Sequence, residues 1–274
     1  MIQFAIALMI GLMAGTHVAT WGMYKDSIHE GFTFRKYLRS IFLSGMIAVL
    51  VEWVTGLEVT QPSNMLILYG LTYILERFFV EFYKNFLREE DQSKFFIPMQ
   101  FHIMGRIIES RRIRWTVGAS CFLVLLLLLV GLHRIQNSEL EISPWLMVFL
   151  VGSLGGWISA FAGAWKDAPL EGFELLKFFR SPLLAFFYAI LIANFTDNYL
   201  YIFLCGIGYT VGTAETYKTF FFPSKPRGKF AGKPILFPEM LEMRKWFIPL
   251  YGAIWALLIA TFIIAFLQPN KGLI

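Results

Sequence analysis

The sequence predicts an all-α fold, a polytopic integral membrane bundle of about eight transmembrane helices arranged as two parallel four-helix repeats. Three observations lead there. The 274-residue chain is 57% hydrophobic and 18% aromatic, with only 16% charged residues, whereas soluble domains carry about a quarter. Its apolar residues fall in runs close to the length of a bilayer span, roughly 17–25 residues. One charged stretch also occurs twice: residues 25–40 read KDSIHEGFTFRKYLRS and residues 166–181 read KDAPLEGFELLKFFRS. Eight of the sixteen aligned positions are identical: Lys25/Lys166, Asp26/Asp167, Glu30/Glu171, Gly31/Gly172, Phe32/Phe173, Lys36/Lys177, Arg39/Arg180 and Ser40/Ser181. Unrelated stretches at average residue usage would share about one. Both copies follow a long apolar segment, so internal duplication is the reading.

Residues 2–24 form the first span. No Lys or Arg precedes this run, as a signal peptide would require, and its counterpart at 144–165 lies mid-chain. After the motif, residues 37–57 make a second span, and a polar turn from Glu58 to Asn64 with Pro62 follows. Residues 64–83 make a third span ending in EFYK (Glu81–Lys84), a polar segment runs from Asn85 to Arg114, and residues 115–132 make the fourth. The second half follows the same plan with spans at 144–165, 180–195, 199–220 (ending in ETYK, Glu215–Lys218) and 246–267. PMQFHIM (Pro98–Met104) and PILFPEM (Pro234–Met240) repeat more loosely. The expected units are residues 1–134 and 135–274 of a single membrane domain. Four spans per half return the chain to its starting side, so the halves should be related by an axis along the membrane normal and not by inversion.

Charge sets the orientation. Of the 24 Lys and Arg, 21 fall in the segments around the odd-to-even span connections, two (Arg134 and Lys271) on the opposite side, and Arg77 within a span. This asymmetry predicts a multi-pass protein of the cell inner (plasma) membrane with both termini on the non-cytoplasmic side and the repeated motifs at the cytoplasmic face. The net charge of +5 is thereby a topology signal and an affinity for anionic lipid. No soluble basic domain is visible, so nucleic acid is not an expected partner. Cys121 and Cys205 lie within apolar runs, far apart, as core or lipid-facing residues.

Within each motif, Lys36, Arg39 and Ser40, and likewise Lys177, Arg180 and Ser181, are spaced for one helix face at a helix start. Cations are poorly placed at the positive end of a helix dipole unless an anion lies among them, and free N–H groups there suit an anion. The anion is either internal (Asp26 and Glu30, or Asp167 and Glu171) or external, a phosphate of a lipid or substrate. Lys25 and Lys166 join the cation sets. Gly31 and Gly172 let the backbone turn tightly. Glu81 and Glu215 lie near the cytoplasmic ends of their spans, where a carboxylate needs pairing. The nearest cations by depth, Arg39 and Arg180, would clasp them. Some polar groups break the repeat: His17, Glu52, Glu76 and Arg77 are intramembrane ionisable residues without ionisable counterparts. The four histidines lack metal-ligand spacing, so no metal site is expected, and no cofactor is identified. Lys94–Arg114 and Lys229–Lys245 mix aromatic and basic residues as interfacial helices on an anionic leaflet do.

The functional expectation is a cytoplasmic-facing polar site that binds and translocates an anionic or lipid-linked phosphate species. Two alternatives stand beside it. One is an enzyme that modifies a phospholipid or polyprenyl phosphate with Asp26, Glu30 and Glu81 as metal or acid/base groups. The other is a structural subunit whose cytoplasmic face recruits a protein partner. Membrane lipids with anionic headgroups are the expected partners.

Overall fold

The computed structural model describes residues 1–95, 97–223, 230–269 and 272–274, and for residues 94, 166, 167, 170 and 171 the backbone without the side chain. Within these limits the chain forms eight long helices: α1 (Ile2–Glu30), α2 (Phe34–Thr55), α3 (Pro62–Phe82), α4 (Arg111–Gln136), α5 (Pro144–Glu171), α6 (Leu175–Ala193), α7 (Tyr199–Phe220) and, after the short α8 (Met240–Met243), α9 (Ile248–Phe266). The expected spans lie on these helices or within a few residues of them. The main difference is that α1 and α5 continue through the first residues of each motif. They stop only at Gly31 (φ 72°, ψ 175°) and Gly172 (φ 85°, ψ 165°), a backbone region open almost only to glycine. The N–H of Gly31 donates to Ser27 O, and that of Gly172 to Ala168 O.

Among the described residues, six helices are long and apolar enough to cross a membrane: α1, α2, α4, α5, α6 and the stretch Met240–Phe266. The chain thus has the character of an integral, multi-pass membrane protein. The expectation of eight apolar spans is met by composition for these six and not for α3 and α7. The reason is enclosure. α3 packs against α1, α2, α7 and α9, and α7 against α1, α3, α4, α5 and α6. Every residue of α3 from Leu66 to Tyr73 is buried. A helix screened from lipid need not be lipophilic, and α3 carries Glu76, Arg77 and Glu81 while α7 is rich in Gly, Thr and Tyr.

Glycines set the closest crossings. A Cβ on Gly15 would lie 2.6 Å from Ser40 O, and one on Gly156 would lie 2.6 Å from Ser181 O. One turn earlier, Gly11 meets Ser44 and Ala48, and Gly152 meets Ala189. Gly-xxx-Gly spacing in α1 and α5 therefore lets α2 and α6 approach at backbone distance, as small residues do between membrane helices. The fourth long helix of each set of four packs on the other set: α4 on α7, and α9 on α3.

The connecting segments correct an expectation. Lys94–Arg114 is not an interfacial helix. Around the π-helical turn Tyr83–Leu87 and the 3-10 turn Gln92–Lys94 it folds into a two-stranded hairpin, β1 (His102–Ile103) with β2 (Arg106–Ile107). The N–H of Phe101 donates to Asn85 O at 3.0 Å, and Trp165 of α5 donates its indole N–H to His102 O at 2.9 Å. Arg114, 2% exposed, pins the segment by donating to Ile108 O, Glu109 O and Glu89 Oε1. The described part of Lys229–Lys245 is likewise a strap over the end of α1, and Lys229 itself lies outside the described residues. Leu236 and Phe237 donate to Ile28 O, Phe230 stacks on His29 at 4.3 Å, and buried Arg244 donates to Tyr24 O and Pro223 O. Ile97, Phe230 and Met240 are buried and Phe237 packs beside Met23 and Ile28, so part of the apolar content covers the bundle's own end, whereas Met104, Ile113, Ile235 and Met243 are exposed.

Candidate functional site

The two motifs meet in one cavity of about 1100 Å³ at the end of the bundle. The last turns of α1 supply Lys25, Asp26 and Glu30, and the start of α2 supplies Lys36, Arg39 and Ser40. From the other side come Lys177, Arg180 and Ser181 of α6 and Glu215 and Lys218 of α7. Arg77 and Glu81 of α3 and Lys84 and Arg88 just beyond it complete the charged wall. Chain order explains the convergence. Each motif straddles a glycine-capped turn, so its charges end one helix and begin the next at the same end of the bundle.

Nine cations among the described residues line this space (Lys25, Lys36, Arg39, Arg77, Lys84, Arg88, Lys177, Arg180, Lys218) against six carboxylates (Asp26, Glu30, Glu81, Glu90, Glu174, Glu215), a surplus of three. Lys166, Asp167 and Glu171, the remaining motif residues, have side chains outside the description.

The ion pairs differ from the expected clasps. Glu215 is bridged by Lys25 Nζ at 2.7 Å and Lys218 Nζ at 3.5 Å, and Glu81 by Arg77 at 3.0 Å and Lys84 at 3.4 Å. Arg39 pairs with neither carboxylate, and Arg180 does not pair with Glu215. The reason is geometric. Lys84 and Lys218 lie one turn beyond their glutamates on the same helix face, and α1 brings Lys25 directly alongside α7. Trp21 completes the arrangement, with Lys25 Nζ 4.6 Å and the Arg77 guanidinium 5.3 Å from its ring. Lys36 and Arg39 are exposed to the cavity, and neither makes an ion pair among the described residues.

Ser40 and Ser181 are more than nine-tenths buried. They border the cavity, but their backbone oxygens are also the contact points of Gly15 and Gly156. The four intramembrane residues separate. Arg77 faces the cavity, whereas His17, Glu52 and Glu76 are not part of its wall. His17 is 1% exposed and shares a 2.5 Å hydrogen bond with Tyr69 OH. It sits within a ring of Tyr73, Tyr251 and Trp255, beside a Trp21-to-Tyr73 hydrogen bond of 2.8 Å. Glu76 is 0% exposed, with Arg77 Nε at 3.7 Å and no hydrogen-bond partner for either carboxylate oxygen among the described residues. Glu52, 8% exposed, sits in the last turn of α2.

Sequence reasoning passed over several wall residues. Arg88, Glu90 and Glu174 line the cavity without belonging to the repeated motif, and so do the rings of Phe79, Tyr83, Phe161 and Trp165. Their spacing of four along α3 and its extension, and again along α5, was the available signal. Among the described residues, no three His, Cys, Asp or Glu side chains are grouped to hold a metal ion. Comparison of the chain with known protein families, curated proteins and solved structures returns no match.

Proposed function

We propose that this is a multi-pass membrane protein that binds an anionic, phosphate-bearing species in the cavity between two structurally related halves and carries it across the membrane. The observation that carries the reading is the charged wall. Cations of both motifs line one space with a surplus of three positive charges over the described carboxylates. Lys36 and Arg39 stand at the start of a helix, whose dipole adds to the positive field. An anion with several acceptor oxygens relieves both, and charge-assisted bonds from arginine are among the strongest available to it.

In this reading α3 and α7 also cross the bilayer, which makes eight spans in two four-helix repeats, residues 1–134 and 135–274. Matching contacts support the pseudo-twofold relation: Gly15 on Ser40 and Gly156 on Ser181, Lys84–Glu81 at 3.4 Å and Lys218–Glu215 at 3.5 Å, and α4 on α7 with α9 on α3. The Lys/Arg distribution supports a cavity at the cytoplasmic face of the inner membrane with both termini outside. Anionic lipids are the proposed partners, and the basic straps offer a surface for a cytoplasmic protein.

The test is native mass spectrometry of lipid and phosphate retained by purified wild type and by Lys36→Gln/Arg39→Gln. The variant should lose most of the bound phosphate species while remaining monodisperse. Equal retention by both would return these residues to the role of topology anchors.

A further inference from the structure

We infer that the phosphate species is a membrane lipid, which enters the cavity sideways from the leaflet through a mouth of aromatic rings. The inference rests on the phosphate reading above and narrows it from any phosphate-bearing anion to an amphiphile.

The cavity wall is divided in kind. Lys36, Arg39, Lys177 and Arg180 lie at the helix starts, while Leu43, Val80 and Val117 line it apolarly. Its volume of about 1100 Å³ exceeds the roughly 300–1,000 Å³ of ordinary small-molecule sites, and far exceeds what a free phosphate fills. The decisive feature is the rim. Phe79, Tyr83, Phe161, Trp165 and Phe173 line the cavity and are 48–63% exposed. Phe79 and Tyr83 are four residues apart, as are Phe161 and Trp165, so each pair lies along one side of its helix. In a membrane-spanning bundle, exposed rings at such a rim would meet acyl chains. A well for a water-borne anion would open through polar groups that keep the ion hydrated. Exposed Thr33, Lys36, Arg39, Glu90 and Glu174 line another part of this cavity, while its ring-lined side suits a hydrocarbon chain, which needs no hydrogen bonds as it passes, and Trp and Tyr are at home at headgroup depth. A phosphate at Lys36 and Arg39 with chains leaving between the rings satisfies both parts of the wall.

The protein carries its own reporter. It has two cysteines. Cys205 is buried, whereas Cys121 is exposed and lines the cavity. The experiment follows maleimide labelling of Cys121 in the full chain, held in phosphatidylcholine nanodiscs. One arm adds phosphatidic acid to the nanodisc lipid. A second adds glycerol 3-phosphate or inorganic phosphate to the buffer. Phosphatidic acid should slow labelling about tenfold, a change of about 1.4 kcal/mol in occupancy, and the soluble phosphates should not. Phe161→Ser/Trp165→Ser should reduce the protection by lipid. Equal protection by soluble phosphate, with the ring variant unaffected, would overturn the lipid inference and leave the phosphate reading standing. Undiminished protection by phosphatidic acid in Lys36→Gln/Arg39→Gln would overturn the phosphate reading itself. No protection by any probe in wild type would overturn the lipid inference.

Discussion

Lys25 Nζ lies 2.7 Å from Glu215 Oε2, so a single bridge ties the last turns of α1 to α7 across the cavity wall. Both side chains are largely buried, 11% and 15% exposed. Removing one partner of such a pair leaves the other charge less well compensated, Glu215 retaining Lys218 at 3.5 Å. Lys25→Met and Glu215→Gln should each lower stability by about 1–3 kcal/mol. The double variant should lose less than the sum, because the two share one interaction. Denaturation of the single and double variants in detergent measures this, and additive losses would show that the bridge is incidental.

The helix crossings at Gly15 and Gly156 leave no room for a methyl group, since the obstacle in each case is backbone. Gly15→Ala and Gly156→Ala should each destabilise by about 1–3 kcal/mol through overpacking. Gly22, also within α1, has open space where a Cβ would sit, with nothing within 4 Å. Gly22→Ala should be neutral or stabilising by up to about 1 kcal/mol, from helix propensity alone. Thermal unfolding of the three variants separates crossing glycines from incidental ones.

Gly31 holds a backbone conformation that alanine tolerates poorly, and a Cβ there would lie 3.3 Å from the Phe237 ring. Gly31→Ala should cost about 1–3 kcal/mol and loosen the strap over the end of α1. Hydrogen exchange at Leu236 and Phe237, whose N–H groups donate to Ile28 O, should accelerate. Unchanged exchange would separate the strap from the turn.

Arg114 makes three hydrogen bonds that hold the hairpin segment to the bundle. Arg114→Lys keeps the charge but cannot reproduce the fork. It should raise the rate of proteolytic cleavage near Met104–Gly105 severalfold. A cleavage rate equal to wild type would place the restraint elsewhere, for instance in the Trp165-to-His102 contact.

Sidedness has a direct readout. In a Cys121→Ser background, Met104→Cys should be shielded from an impermeant thiol reagent in intact cells, and Ser138→Cys should react. Both positions are exposed, so the contrast reports the membrane and not burial. The reverse pattern would invert the orientation drawn from the Lys and Arg distribution.

Much of this architecture is legible in the sequence because helix length and apolarity are local properties. The motif also marks its own location, since charges on both sides of a helix-ending glycine must gather at one end of a bundle. Pairing was less legible. Depth along the membrane made Arg39 the natural mate of Glu81, but depth says nothing about which helices are neighbours. The neighbour of α7 that supplies a cation is α1, through Lys25. The straps were misread for a related reason. Arg114 and Arg244 have the composition of membrane anchors, and only the fold shows that carbonyl groups, not lipid headgroups, receive their N–H donors. Likewise, the close crossing of α1 and α2 rests on Gly11 and Gly15, whose significance depends on what lies opposite.

The packing of α9 on α3 also has a temporal meaning. Translation delivers α3 well before α9, so one flank of α3 waits unclosed while the helices between them are made. During that wait its tyrosines, Glu76 and Arg77 lie beside lipid or beside whatever assists insertion. Maturation must therefore be a late, concerted event. A ribosome that stalls before Ile248 would release a chain in which α3, with its buried Glu76, has never been sealed, a natural signal for membrane quality control.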